Sequence, residues 1–187
     1  MVIGAQWGDE GKGKIVDYLA AKADVVVRSQ GGNNAGHTVV TGGKAYPLRL
    51  MPSGIIYPGT ICIVGTGVVL DPKSLLEEIE NLEKQGIDAK HLQISTRAQV
   101  VFPYHIRLDE AEESRKGSRK IGTTKNGIGP CYADKINRIG IRICDLMDEE
   151  TFAEKLKYNV EQKNLLLEKL YGMEGCDYET MLNDYLG

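Results

Sequence analysis

The sequence lacks the features that mark membrane, secreted and zinc-ribbon proteins. Among its 187 residues, no uncharged apolar run approaches the ~20 residues that a membrane-spanning helix needs. No secretory signal precedes Gly4, and the four cysteines include no Cys-x-x-Cys pair. These absences argue against a disulfide framework and a zinc site, and they predict reduced thiols, a cytoplasmic location and no contact with a membrane.

A strong excess of one charge sign is also missing. The chain has 23 basic and 26 acidic residues, a net charge of −3, and no sustained like-charge block. We therefore expect no nucleic-acid partner, and we interpret the short basic run at 115–120 as a solvated face. Hydrophobic residues make up 42% and charged residues 26%, which is typical of one globular domain of ordinary size.

Glycine is the residue in excess. It contributes 22 of 187 residues, about 12% against a typical ~7%. Much of it lies in four clusters, at 8–13, 31–36, 65–67 and 122–129. Apolar segments separate these clusters, whereas low-complexity linkers would lack such segments. The pattern predicts glycine-rich turns between strands and helices, where a backbone can approach a ligand closely.

The order of the apolar patterns predicts an α/β fold. A strand at 1–3, a glycine turn, a helix at 15–23 and a strand at 24–28 form a β-α-β unit. The remaining predicted elements are a hairpin over 38–51, a strand at 60–64, a helix from Pro72 to Gly86, a strand at 91–96, a helix at 105–113, a long polar loop at 115–139 and a helical tail. We expect a mainly parallel central sheet with a P-loop-like glycine-rich turn, a hairpin and helical insertions.

The strongest motif is the stretch 8–14, which matches G-x-x-x-x-G-K. An apolar strand precedes it and an amphipathic helix follows, so backbone N–H groups and the start of the helix would hold phosphate. A tight structural turn is the alternative interpretation. Ordinary phosphate loops follow the lysine with Ser or Thr, whose hydroxyl binds magnesium, whereas this chain has Ile15 there.

The same motif carries two acidic residues, Asp9 and Glu10, where phosphates should lie. They would repel phosphate unless a metal ion or a proton transfer requires them. Asp9 can therefore be a magnesium ligand, a general base, or both. The alternative is that Asp9 or Glu10 only caps the helix.

The stretch 30–38 is the second cluster that can touch a substrate. It follows the strand at 24–28, at the strand end where ligands bind in open α/β sheets, and it offers Asn34, the backbone of Gly36, and His37. A lone histidine is usually a surface or core residue. In a glycine-dense loop beside a phosphate loop, we interpret His37 as a general acid or a phosphate contact.

The third cluster, 122–130, contains two hydroxyls and several exposed amides, which suit a monophosphate. A flexible surface loop explains the composition equally well. His91 and His105 have no metal-ligand spacing, so we expect structural roles for both.

Together the three clusters resemble adenylosuccinate synthetases. The resemblance is carried by Gln6-Trp7-Gly8-Asp9-Glu10-Gly11-Lys12-Gly13-Lys14, by Asn34-Ala35-Gly36-His37-Thr38, and by Ile121-Gly122-Thr123-Thr124 with Gly127-Ile128-Gly129-Pro130. Their order and spacing agree as well, and the resemblance covers essentially all of the chain. An Asp inside the first motif, with no Ser or Thr after it, is highly specific to that family.

The resemblance implies a GTP-dependent ligase that joins IMP to L-aspartate on the way to AMP and acts as a homodimer. In such enzymes the γ-phosphoryl group of GTP moves to the 6-oxygen of IMP, and the aspartate amine then displaces phosphate. The resemblance implies Asp9 as the general base and Mg²⁺ ligand, His37 as the general acid, and Lys12 as the cation that neutralises the transferring phosphate.

The resemblance also implies the binding residues. Gly36 would give its carbonyl to Mg²⁺ beside Asp9. The GTP-binding residues would be Gly8, Asp9, Glu10, Gly11, Lys12, Gly13, Lys14, Gly36, His37 and Thr38. The IMP-binding residues would be Asp9, Glu10, Gly11, Lys12, Asn34, Ala35, Gly36, His37, Thr124 on the monophosphate, and Arg138. Arg138 would reach the IMP site of the neighbouring subunit, where a guanidinium fork suits phosphate.

Two departures accompany the resemblance. Lys125-Asn126 stands where many relatives carry Gly-Arg. Family members also extend far past Gly187, so residues 1–187 are expected to be the N-terminal portion of a single α/β domain, truncated at the C-terminus. The missing part would hold the guanine-recognition segment and the aspartate-binding loop. A GTPase-like nucleotide-binding module and an inactive fragment are the alternatives.

Overall fold

The chain forms two compact units in a computed structural model. The structure describes residues 1–5, 11–119 and 122–186. The first unit comprises Met1–Val68 and Pro72–Ser95, and the second comprises Val69–Asp71 and Thr96–Gly187. Each unit has its own buried core.

The first unit alternates helices and strands. Its elements are α1 (Lys12–Ala20), β1 (Val25–Gly31), β2 (His37–Thr41), β3 (Lys44–Leu48), a 3-10 turn (Ser53–Ile56), β4 (Ile61–Leu70, whose last two residues belong to the second unit), α2 (Pro72–Lys84) and β5 (Leu92–Ile94). Gly11 precedes α1 with a left-handed φ of 76°, a conformation that favours glycine. Pro72 opens α2, where its missing N–H has no helical partner to lose.

Three strands of the first unit form a parallel sheet in the order β1-β4-β5. Val25 pairs with Ile61, and Cys62 pairs with Leu92. β2 and β3 form an antiparallel hairpin. The predicted α/β class, the mainly parallel sheet and the hairpin are therefore confirmed.

One face of the β1–β4 pair is covered by the 3-10 turn. Gly54 lies so close to it that an added Cβ would be 2.8 Å from Cγ2 of Val26 and 2.7 Å from Cγ2 of Thr60. Val26, Cys62 and Val64 are buried on this face. Because residue 54 has no side chain, the turn contacts the strand directly.

The second unit is mainly helical. Its elements are β6 (Gln99–Val100), α3 (Pro103–Arg115), a 3-10 turn (Gly117–Arg119), α4 (Ile128–Ile136), α5 (Ile143–Leu146), α6 (Glu149–Leu165), a π-helical turn (Leu166–Leu170) and α7 (Tyr178–Leu186). β6 pairs in parallel with the end of β4, where Val69 lies opposite Gln99. Asp148 caps α6 by accepting the N–H of Thr151 at 2.8 Å.

Aromatic side chains fill the core of the second unit. Phe102, Tyr104 and Phe152 are fully buried. The Phe102 ring centroid lies 5.4 Å from that of Tyr104, 6.0 Å from that of Phe152 and 4.7 Å from that of Tyr185. The helical stripe predicted for the tail supplies much of the packing, because Phe152, Leu156 and Val160 all belong to this cluster.

A buried polar network lies in the same unit. His105 Nδ1 accepts the N–H of Phe102 at 2.9 Å, so Nε2 carries the proton and donates to Oδ2 of Asp134 at 3.0 Å. Lys163 donates to the other oxygen of Asp134. Burial lowers the pKa of His105. Burial alone would raise the pKa of Asp134, but hydrogen bonds from His105 and Lys163 outweigh it and lower that pKa. The structural role expected for His105 is confirmed.

Two local predictions are wrong. The strand expected at 1–3 is absent, and Ile3 is exposed; a strand needs a neighbour for its backbone groups. The polar loop expected over 115–139 contains α4. Glycine and proline at its start hid this helix, which begins after Gly127 with its left-handed φ of 69° and buries Cys131 against two valines.

Within the described part of the chain, none of the helices combines the length and apolarity needed to cross a bilayer. The thiols of Cys62, Cys131, Cys144 and Cys176 are free.

Candidate functional site

A pocket of about 300 Å³ lies in the first unit at the start of α1. Lys12 and Gly13, in the first turn of the helix, line it together with His37 from the start of β2. The other residues that line it are Val2, Val16, Val26, Val27, Arg28, Ser29, Gln30, Met51, Pro52 and Ser53. Two of the predicted clusters therefore meet at one pocket, beside the N-terminus of a helix that directs backbone N–H groups outward.

Part of the first motif lies outside the described residues. This applies to Gly8, Asp9 and Glu10, and with them to the predicted general base and magnesium ligand. Lys14 and Gly11 are described, and both are exposed. The geometry of the site is consequently built from Lys12, Gly13 and their neighbours.

Gly13 brings α1 against His37. A Cβ added at Gly13 would lie 3.2 Å from Cβ of His37, closer than most Cβ atoms approach a neighbour. The helix start and the histidine are therefore in direct contact because residue 13 has no side chain. Close packing against His37 thus explains a glycine at position 13 without any bound phosphate.

His37 is half-buried and hydrogen-bonded. Its Nε2 lies 2.9 Å from Oγ of Ser53. Burial lowers the pKa of His37, and the nearby positive charge of Arg28 lowers it further. The imidazole is therefore neutral near pH 7. Of the two groups, Nε2 and the Ser53 hydroxyl, one donates this hydrogen bond and the other accepts it. A multiply charged anion in the pocket would favour the protonated ring and raise this pKa.

Arg28 fixes two segments around the pocket. Its guanidinium donates to the carbonyl of Gly32 at 2.7 Å and also to the carbonyl of Arg49. Gly32 belongs to the second glycine cluster, and Arg49 precedes the turn that carries Ser53. One side chain in the middle of β1 thus links the glycine loop to the segment that leads to Ser53.

Glu78 of α2 binds the backbone of residues 49–51, the segment that precedes Ser53 in the wall of the pocket. Its carboxylate accepts backbone N–H groups of Arg49 at 2.7 Å, Leu50 at 2.8 Å and Met51 at 3.2 Å. Three consecutive amides on one buried carboxylate fix the chain just before Pro52 and Ser53. This arrangement holds the Ser53 hydroxyl at hydrogen-bonding distance from His37.

The sequence analysis missed Arg28, Ser53 and Glu78. Arg28 had a signal, because it ends a β-branched strand just before the second glycine cluster. Ser53 and Glu78 had none, since each reaches the pocket only through contacts with residues 16 to 29 positions away.

The second glycine cluster places its residues in different environments. Asn34, Ala35 and Gly36 form an exposed turn, and Thr38 is exposed on β2. A Cβ added at Gly36 would lie 3.4 Å from the carbonyl oxygen of Leu48, which shows how closely this turn approaches β3. Gln30 and His37 are the members of the stretch 30–38 that line the pocket.

The third cluster lies in the second unit, on a loop anchored by α3. Glu113 accepts the N–H of Gly122 at 2.6 Å, and Asp109, one turn earlier, accepts the N–H of Gly127 at 3.1 Å. The bond from Gly122 lowers the pKa of Glu113. Thr124 is exposed between these anchors. The loop is therefore held at Gly122 and Gly127, and Thr124 is accessible between them.

Arg138 also belongs to the second unit. It follows α4 with a left-handed φ of 62°, which is uncommon for a residue with a side chain. It lines a pocket of about 310 Å³ together with Lys155 and Asn159.

Among the described residues, no group of three acidic, histidine or cysteine side chains can hold a metal ion. The predicted magnesium donors were Asp9, which lies outside these residues, and the carbonyl of Gly36, in an exposed turn.

Comparison with known proteins gives one family. The adenylosuccinate synthetase family model matches residues 1–187. Adenylosuccinate synthetase from Thermoanaerobacter sp. (strain X514) is 64% identical over 186 residues, which are 100% of this chain and 44% of that protein. The enzyme of the same name from Heliobacterium modesticaldum is 61% identical over 185 residues, which are 99% of this chain and 43% of that protein.

A solved structure agrees. The fully ligated adenylosuccinate synthetase from Plasmodium falciparum matches with a TM-score of 0.85 and 40% identity, over 98% of this chain and 42% of that chain. This chain thus spans about 44% of the length of curated relatives that it matches.

Proposed function

Since this chain belongs to the adenylosuccinate synthetase family, we propose that it carries the phosphate-transfer part of a GTP-dependent ligase that joins IMP to L-aspartate. The observation that supports this most directly is the shared pocket of Lys12, Gly13 and His37 at the N-terminus of α1. A lysine, a helix start and a neutral imidazole together suit a transferring phosphoryl group.

The reaction assigns a task to each residue. A carboxylate removes the N1 proton of IMP, so that the 6-oxygen becomes a nucleophile for the γ-phosphoryl group of GTP. Asp9 is our candidate for this base. Lys12 neutralises the transferring group. The amine of aspartate then attacks C6 and phosphate leaves, which forms adenylosuccinate.

His37 assists as a hydrogen-bond donor and general acid. Its lowered pKa keeps the imidazole neutral until a phosphoryl group arrives. The negative charge of that group then favours the protonated ring, which can donate to a phosphoryl oxygen as charge develops. The Ser53 hydroxyl, 2.9 Å from Nε2, orients the ring before the substrate binds.

Mg²⁺ would be held by Asp9 and the carbonyl of Gly36. Gly36 lies in an exposed turn next to His37, and carboxylate and carbonyl oxygens are ligands that this cation takes. When bound, the ion would supply positive charge to the phosphates, and the Gly36 carbonyl would replace part of the coordination that a Ser or Thr at the position of Ile15 would have provided.

The remaining contacts extend the proposal to IMP. Residues 9–12 and 34–37 would contact the nucleotide, with Thr124 on its monophosphate. Arg138 would act on the IMP of a neighbouring subunit, so that a homodimer completes the site. We further propose that residues 1–187 correspond to the N-terminal portion of one longer α/β domain, and that the protein acts in the cytoplasm.

Titration calorimetry with IMP and with Mg·GTP tests the shared pocket. We expect His37→Asn and Lys12→Ala to weaken nucleotide binding by the 187-residue chain at least tenfold, which is about 1.4 kcal/mol. Lys44→Ala, on the hairpin turn, is the control and should bind normally. Unchanged binding in both pocket variants would contradict the proposal.

Product formation from IMP, aspartate and Mg·GTP separates the alternatives. IMP-dependent adenylosuccinate formation by this chain establishes the ligase. GTP hydrolysis without IMP favours a GTPase-like module, for which the helix start at Lys12 would be equally suitable. Binding without either turnover indicates a part of the site that needs the rest of the polypeptide.

A further inference from the structure

Two buried carboxylates on α3 bind the 122–127 loop at both of its ends. Oε1 of Glu113 accepts the N–H of Gly122 at 2.6 Å. Oδ2 of Asp109 accepts the N–H of Gly127 at 3.1 Å. The two acidic residues are only 4% and 8% exposed, and they lie four positions apart, which places them on the same face of the helix. We call Asp109 and Glu113 the carboxylate pair.

The carboxylate pair forces the loop to bend. Side chains four positions apart on a helix begin about 5–6 Å from one another. Five residues of extended chain, the separation of Gly122 and Gly127, could span about 17 Å. The chain between the two glycines therefore projects away from α3, and Thr124 lies exposed in this projecting part. Lys125, the next residue, has a left-handed φ of 55°, a conformation typical of turns.

Both anchored residues are glycines in a conformation that favours glycine. Gly122 has a φ of 78° and Gly127 a φ of 69°. A Cβ added at Gly127 would lie 2.8 Å from the carbonyl carbon of His105, so this end of the loop rests directly on the backbone of α3. The backbone conformation and the carboxylate pair therefore fix the loop at the same two points.

Stability alone gives a poor reason for two buried carboxylates. Burying an ionised group has a free-energy cost, which apolar side chains at the same helix positions would avoid. The cost is offset where the carboxylate receives backbone N–H groups, because such charge-assisted hydrogen bonds are short and strong. The bond from Gly122 lowers the pKa of Glu113, so this carboxylate is ionised near pH 7. A fixed loop backbone is what the two side chains supply.

We propose that Asp109 and Glu113 are positioning residues, which hold the 122–127 loop in the conformation that presents Thr124 to the monophosphate of the nucleotide. The inference rests on the proposed function, where Thr124 is the monophosphate contact. The carboxylate pair acts through the loop backbone and does not contact the substrate. A loop that is fixed before the ligand arrives loses less conformational entropy on binding, which increases affinity. The competing role is stabilisation of the second unit alone.

A double-mutant cycle on IMP binding separates the two roles. Titration calorimetry gives the dissociation constant of IMP for the wild-type chain, Glu113→Ala, Thr124→Ala and the double variant. We expect a loss of affinity of about tenfold in each single variant and no more than about tenfold in the double variant, because Glu113 acts through Thr124. Asp109→Ala with Thr124→Ala forms a second cycle with the same expectation. Additive losses, about a hundredfold in the double variants, would contradict the proposal.

A conservative variant and a matched helix position supply the controls. Glu113→Gln keeps one acceptor oxygen for the N–H of Gly122, so we expect a smaller loss of affinity, about threefold. Glu112→Gln changes an exposed carboxylate on the same helix and should leave IMP binding unchanged. If Glu113→Ala does not fold, Glu113→Gln takes its place in the cycle. Equal affinities of Glu113→Gln and Glu112→Gln would then contradict the proposal.

Hydrogen exchange of the loop amides is a second readout, which needs no ligand. Faster exchange at Gly122 and Gly127 in Glu113→Ala and Asp109→Ala, with unchanged exchange in α6, supports the positioning role. Unchanged exchange at both glycines, or equally faster exchange in α6, would overturn it.

Failure of the proposed function gives a different result. Absence of IMP binding by the wild-type chain would contradict the proposed function, and the exchange of the loop amides would then decide whether the carboxylate pair holds the loop. IMP binding that neither Glu113→Ala nor Asp109→Ala weakens would contradict the positioning role and leave the proposed function standing.

Discussion

The two units of the chain differ in where they place polar and apolar groups. The second unit buries aromatic rings and encloses the ion pair of Asp134 and Lys163. The first unit leaves valine and isoleucine exposed on one sheet face and gathers its polar groups around an accessible pocket. The comparison shows that the two units distribute similar residue types differently, since one encloses a charged network and the other leaves apolar and polar groups accessible.

The largest expected effect breaks the buried network of the second unit. Asp134→Ala leaves the Lys163 ammonium and the His105 N–H without their buried acceptor, and removing one partner of a buried ion pair costs about 3–5 kcal/mol. Urea unfolding should show this loss. Asp88→Ala, which removes an exposed carboxylate, is the control and should leave the midpoint unchanged.

A double variant sharpens this prediction. Adding Lys163→Met to Asp134→Ala should recover part of the loss, because the unpaired charge is removed and an apolar chain fills its place. A double variant less stable than either single variant would show that the network stabilises the unit in another way. Hydrogen exchange should accelerate more in α6 than in α2.

The corresponding change in the first unit should be smaller. Glu78→Gln replaces one carboxylate oxygen with an NH₂ group that cannot accept, so at least one of the amides at 49–51 loses its partner. We expect a loss of about 1–3 kcal/mol in urea unfolding, the penalty of one unsatisfied buried amide. Glu77→Gln, on the neighbouring position of α2, is the control. If both variants lose equally little free energy of unfolding, the Glu78 carboxylate does not fix the pocket wall.

The pH dependence of stability should involve both units. His37 and His105 have pKa values lowered from 6.5, so the unfolded chain binds protons that the folded chain does not. Their contribution is complete above pH 6.5 and is lost as the pH falls below it. The urea midpoint should decrease from pH 7.5 to 5.5, and His105→Gln should flatten this slope. A midpoint that rises on acidification would contradict the assigned directions.

The smallest effect on stability is expected at Gly13. Gly13→Ala gains helix propensity of up to about 1 kcal/mol, and the new methyl group presses on Cβ of His37 at 3.2 Å. We expect the gain in helix propensity and the cost of the steric contact nearly to cancel, so that the thermal midpoint changes little. Nucleotide binding should weaken all the same, because His37 must move. Tight binding by this variant would mean that the histidine position is not important.

Local patterns allowed much of this protein to be predicted from its sequence. The hairpin, α2, the tail helices and the parallel strands follow from apolar periodicity and from Pro and Gly punctuation. His37 was singled out by its glycine-dense loop and Lys12 by the family resemblance, and the structure brings both to one pocket. The helix at 128–136 was missed, since Gly127, Gly129 and Pro130 at its start are also typical of a loop.

The supporting residues were beyond sequence reasoning for a different reason. Glu78 is 27 to 29 positions from the amides it holds, and Ser53 is 16 from His37. Hydrogen bonds between distant residues have no periodic signature, because they depend on how the chain folds back and not on local spacing. Arg28 was visible as the end of a strand, but its two carbonyl partners were not.

The sequence by itself determined the family, the order of most helices and strands, and the motif residues that we propose to contact phosphate, because these depend on residue type and short spacing. Only the tertiary structure decided that Lys12 and His37 share a pocket, that His37 is neutral, that His105 is tied to Asp134, and that one sheet face is open. Burial and long-range contact set a pKa, a hydrogen-bond partner or an exposed surface, and both arise only when distant segments pack together.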